Sequence, residues 1–115
     1  MFDKYYGQKI LSASLDEEGL TLSLGNGKII MLWDDQPICS ERRYMSSDDD
    51  IQSLVGSTLT RVEARESPTD YDVWEVHETC FLEVGMNHGF ITLVNHNEHN
   101  GYYGGFNVAI EEKET

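Results

Sequence analysis

The residues best equipped for chemistry in this chain crowd into one stretch, "NHNEHNGYYGG", from Asn95 to Gly105. His96 and His99 have H-x-x-H spacing, and Asn97 and Glu98 set oxygen donors between them. Neutral imidazoles suit zinc, nickel or copper. A third ligand for a divalent transition metal would come from His77, beside Glu78, or from Cys39. The competing reading is conformational, because asparagine and glycine supply the unusual backbone angles of a tight loop. With no C-x-x-C and no helical H-E-x-x-H to support the metal, no cofactor is assigned, and His77, His96, His99 and Cys39 stand as candidate ligands.

The same stretch holds the adjacent pair Tyr102 and Tyr103. In an extended chain neighbours point to opposite faces, so one ring would pack on the core and the other could stack on a ligand. Gly104 and Gly105 would let a backbone or a flat ligand approach closely. The expected ligand-binding set is therefore His96, His99, Asn100, Tyr102 and Tyr103, lining the main concavity from a loop. That loop would join two antiparallel strands, Phe90–Val94 and Gly105–Ile110.

Elsewhere the chemistry thins out. Asp48–Asp50 lacks the alternate spacing and the glycine of a calcium loop and reads as helix-start acids. Asp34-Asp35 and Asp70-x-Asp72 read as solvated turn acids. Arg42-Arg43 is the one adjacent basic pair. Either arginine could be buried against a carboxylate or could line an anion pocket. Cys39, with Arg42 and a histidine nearby, could carry a reactive thiol, whereas Cys80 lies on the apolar parity of its strand. No nucleophile elbow, phosphate loop or dinucleotide fingerprint is present, and no catalytic residue is assigned.

These residues need a scaffold, and the hydropathy pattern specifies a mainly β one. Leu20, Leu22 and Leu24 alternate with Thr21 and Ser23, the period of a half-buried strand. Gly25-Asn26-Gly27 suits a hairpin turn, after which Lys28–Trp33 returns. "KILSASL" before it, Thr58–Arg65, Val73–Val84, Phe90–Val94 and a last strand through Phe106, Val108 and Ile110 complete six or seven strands. The span from Asp34 to Ser46 reads as a long loop containing Pro37. "SSDDDIQSLVG" reads as a short helix near Asp48–Val55, with Ser47 as N-cap and Gly56 as stop. The predicted fold is a predominantly antiparallel curled sheet, sandwich or open barrel with one short helix. It forms one domain over residues 1–115, with a frayed tail at about 111–115.

A net charge of −13 constrains partners. No Lys or Arg separates Arg65 from Lys113, a span that carries nine acids. Nucleic acids and anionic membranes need clustered cations, so both are excluded as direct partners. A basic protein surface fits. Two distant cysteines, and the lack of a signal-like apolar core or a membrane-length segment, point to the cytoplasm.

"CSERRYMSSDDDIQSLVG", "VHETCFLEV" and "ITLVNHNEHNGYYGGFNV" together resemble a family of small uncharacterised domains of bacterial and phage or prophage genomes. The resemblance runs from about Asp34 to Ile110. Many members carry a Cys-Cys pair where this chain has Ile38-Cys39, and more distant ones lack the histidines. It implies a compact β domain in a phage or mobile-element setting, and no activity. The expected function is a non-enzymatic binding module using the Asn95–Gly105 loop and an acidic face, with a host or phage protein as partner. The alternatives are an acidic, phosphate-mimicking inhibitor of a host defence or DNA-handling protein, and a metal-dependent or thiol enzyme.

Overall fold

The computed structural model describes residues 2–35, 42–66, 70–71, 76–99 and 106–113. Among them are nine strands: β1 (Ile10–Leu15), β2 (Gly19–Leu24), β3 (Ile29–Asp34), β4 (Arg42–Ser46), β5 (Leu59–Glu66), β6 (Asp70–Tyr71), β7 (Val76–Met86), β8 (Gly89–His99) and β9 (Val108–Lys113). They form two antiparallel sheets. The first has the order β1-β2-β3-β9, and the second β4-β8-β7-β5 with β6 added to β7.

The β2–β3 hairpin follows directly from its sequence. Gly27 takes φ +86°, and the Lys28 N–H donates to the Asn26 side chain at 3.1 Å. The register this turn fixes sets Leu22 opposite Ile30 and Leu20 opposite Leu32. Those four side chains are fully buried. In the second sheet Leu82 pairs with Leu93 and Val84 with Ile91, and their alternation along β7 and β8 points them into the same core. Burial of such aliphatic side chains is worth about 1.5–3 kcal/mol each before chain entropy is subtracted. Leu54, Leu59, Met45 and Tyr5 belong to the same cluster, which joins the sheets.

Backbone bonds tie the sheets together at two places. Ile10 donates to Ser57 and accepts from Gly56, both at 2.8 Å, and the Met45 N–H donates to the Glu17 carbonyl at 2.9 Å. The second bond holds β4 against the β1–β2 turn. In that turn the Asp16 carboxylate receives the Glu18 and Gly19 N–H groups at 2.8 and 3.1 Å. Among the described residues no helix is long and apolar enough to cross a membrane.

Several expectations need correction. The helix near Asp48–Val55 is a single 3-10 turn, Ile51–Leu54, capped by Asp50 rather than Ser47. Its neighbour Val55 is exposed, so the apolar stripe extends over one turn only. Part of the Asp34–Ser46 loop is β4. The strand expected to end at Val94 continues to His99, so the first half of the Asn95–Gly105 stretch is strand, not loop. The last strand pairs with β3, not β8, and reaches Lys113, so it lies in the other sheet and the tail is paired up to that point. Asp34 is also no solvated turn acid, because its side chain is buried against Arg43.

Candidate functional site

Cross-strand register builds a ladder on the face of the second sheet that points away from the core. Arg42, Glu98 and His77 form one row across β4, β8 and β7, and Tyr44, His96 and Thr79 form the next. Diagonal neighbours on such a face lie within reach of long and aromatic side chains. The Tyr44 and His96 rings stack with centroids 4.3 Å apart and 7° between planes. His77 lies beyond His96 at 5.2 Å. On the other side the Arg42 guanidinium sits 4.4 Å over the Tyr44 ring, and it faces Glu98 and Glu17, each at 3.6 Å. Four side chains thus make a column running guanidinium, phenol, imidazole, imidazole.

Both nitrogens of His96 are engaged. Nε2 lies 2.8 Å from Ser46 Oγ, and Nδ1 lies 3.0 Å from His77 Nε2. Each contact needs one hydrogen, so the chain works with neutral imidazoles and fails if both rings are protonated. Burial holds His96 below the usual histidine value, and the neighbouring His77 adds to this; Glu98 opposes the shift and Arg42 supports it. Burial also raises the Tyr44 phenol. This column can stack on a planar or cationic group, and the Ser46–His96–His77 chain can hold and pass one proton.

The candidate ligands divide accordingly. His77 and His96 meet. Cys39, Asn100, Tyr102, Tyr103 and the side chain of His99 lie outside the described residues. Among the described residues no three His, Cys, Asp or Glu side chains converge in a way that could hold a metal ion. Arg42, Tyr44 and Ser46 were not expected in the site. The alternation R-x-Y-x-S in "RRYMS" was the signal for them, since it sets all three on one side of a strand.

Behind this face, a cavity of about 250 Å³ opens between β3 and β4. Trp33, Asp34, Arg43, Tyr44, Met45 and Asn95 line it, with Glu17 and Glu18 from the β1–β2 turn; neither His77 nor His96 does. Arg43 Nη1 meets Asp34 Oδ2 at 2.7 Å, with side chains 4% and 8% exposed. Asp34 also receives the Asn107 N–H at 2.9 Å, which anchors the approach to β9. Of the two roles open to the Arg42-Arg43 pair, Arg43 takes the buried one, and its charge is matched where it lines the cavity.

No curated protein and no solved structure matches the chain. A family model does, over residues 3–108. The chain belongs to the family described as a domain of unknown function, DUF7448.

Proposed function

We propose that the protein is a non-enzymatic binding module that engages a partner through the outer face of β4, β8 and β7. One observation carries this reading: the Arg42–Tyr44–His96–His77 column is held rigid by stacking and by hydrogen bonds on both nitrogens of His96. Rigid aromatic groups with matched polar edges bind at low entropic cost. Glu98 and Glu17 share the one guanidinium of Arg42, and the carboxylate in excess beside the column favours a partner with a basic surface. The acids described elsewhere offer less to a phosphate-mimicking reading, because Glu63 and Glu83 face Arg61 and Arg65, and Glu112 faces Lys4 and Lys28. The setting we assign, the cytoplasm of a cell carrying a phage or mobile element, rests on the resemblance and on the separated cysteines.

The test is capture of proteins from bacterial lysate by the parent and by a His77→Ala/His96→Ala variant with the parent's near-UV circular dichroism. Bands held by the parent and lost by the variant support the reading. Identical capture by both removes it.

A second reading rests on the Ser46–His96–His77 chain. A hydroxyl bonded to an imidazole that a third group orients is the arrangement of a base-activated nucleophile. Incubation with a fluorophosphonate decides it. An adduct on Ser46 that disappears in His96→Ala would make the site hydrolytic; an unmodified mass leaves the binding module.

A further inference from the structure

We propose that the cavity between β3 and β4 is a second binding site, built for an alkylguanidinium or alkylammonium group. The inference rests on the reading of the protein as a binding module; the cavity shares Tyr44 and Glu17 with the outer face but not His77 or His96. At about 250 Å³ the cavity is side-chain sized, below the roughly 300–1,000 Å³ of pockets that hold drug-sized ligands.

The charge of its described lining favours cations over anions. Among the described residues that line it are three acids, Glu17, Glu18 and Asp34, and one guanidinium, Arg43. Arg43 is held by Asp34 at 2.7 Å, so the two glutamates set the sign at the mouth. Arg42 offsets Glu17 only across 3.6 Å between exposed side chains.

The second observation is Asn95, 1% exposed and part of the lining. Its Nδ2 donates to the Cys80 carbonyl at 3.4 Å. Flipping the amide would set two oxygens against each other, so this contact fixes Oδ1 as the group left over. No described residue donates to that oxygen. That oxygen is left open to an N–H donor from a group bound in the cavity. Trp33 adds an aromatic ring to the lining, and aromatic faces attract cations once water is removed. The chain already uses the same chemistry nearby, where the Arg42 guanidinium rides on Tyr44 between Glu17 and Glu98. The cation would come from a free small molecule or from an arginine or lysine of a bound protein.

The experiment is a titration of the ¹⁵N-labelled full chain at low ionic strength, following the Trp33 indole N–H and the Asn95 side-chain amide. The probes are n-propylguanidinium and its neutral isostere n-propylurea. A blocked Gly-Gly-Arg-Gly-Gly peptide and its citrulline counterpart form the second arm. Saturable shifts with n-propylguanidinium and none with n-propylurea are expected. Glu17→Gln/Glu18→Gln should weaken binding about tenfold, from two screened charge contacts at the mouth. An arginine peptide that binds about as well as n-propylguanidinium assigns a free cation, and one about tenfold tighter assigns a partner's side chain. Equal shifts with the urea, no saturation, shifts outside the cavity, or unchanged binding in the double variant overturn the proposal. The His77→Ala/His96→Ala variant should bind n-propylguanidinium like the parent, so failure here and failure of the outer-face reading are separable.

Discussion

Arg43→Met tests the energetic centre of the molecule. The substitution keeps the length of the side chain and removes its charge, leaving the Asp34 carboxylate buried with its guanidinium partner gone. Breaking a buried pair from one side costs about 3–5 kcal/mol, because the remaining charge is left without its counter-ion. For a chain of this size that corresponds to a fall in Tm of roughly 12–20 °C, at about 4 °C per kcal/mol. Urea unfolding followed by tryptophan fluorescence reads the change. Asp34→Leu/Arg43→Met removes both charges and should recover about 2–3 kcal/mol of the loss. Recovery stays incomplete because the Asn107 N–H loses its acceptor. A single variant within about 1 kcal/mol of the parent, the value of an exposed pair, refutes the reasoning. So does a double variant no more stable than the single.

Three further outcomes are expected. His96 binds protons more weakly in the folded chain than unfolded, so its contribution to stability is full well above pH 6.5 and declines as pH falls through and below about 6.5. The urea midpoint of the parent should therefore drop between pH 7.5 and 5 more steeply than that of His96→Gln. Hydrogen bonds from Tyr5, Lys4 and Lys28 hold the Glu112 carboxyl down to about 2. Its stabilisation is present above the ordinary value of 4.5 and is lost as pH falls towards 2, and a carbon-detected titration of the Glu112 carboxyl should show no midpoint near 4.5. Gly19→Ala should cost about 2–3 kcal/mol, and Gly85→Ala less than about 1. A Cβ at residue 19 meets the Leu32 carbonyl oxygen at 2.3 Å, whereas one at residue 85 meets the Arg61 side chain, which can swing away; equal melting temperatures would contradict this.

The legible parts of the fold were those whose polar and apolar residues alternate in step with burial. Leu20, Leu22 and Leu24, and then Cys80, Leu82 and Val84, fall on the core side as their spacing requires. Two strands broke that correspondence. On β4 the inward residues are Arg43 and Met45, and an ion pair rather than an apolar contact buries the first, so the segment looked like loop. On β8 the inward residues beyond Leu93 are Asn95 and Asn97, both buried. Asparagine at consecutive inward positions reads as turn chemistry, and the turn reading truncated the strand. The histidine site was half visible. His77 and His96 were named as candidates, but their partners Tyr44 and Ser46 depended on recognising β4. The pairing of β9 with β3 was not legible at all, because local periodicity identifies a strand without naming its neighbour.

That last pairing gives the protein a particular order of assembly on the ribosome. β1, β2 and β3 emerge early and can zip locally, yet the free side of β3 stays open until β9 has been synthesised. Its sequence, Ile29-Ile30-Met31-Leu32-Trp33, is apolar and β-prone, the kind of edge that recruits a stray strand from another nascent chain. β9 closes that edge with a strand whose second half, Glu111-Glu112-Lys113, is charged. A protein truncated before Val108 would therefore lose more than six residues of sheet. It would keep the open edge permanently, and self-association during synthesis, rather than a lower melting temperature, would be its first defect.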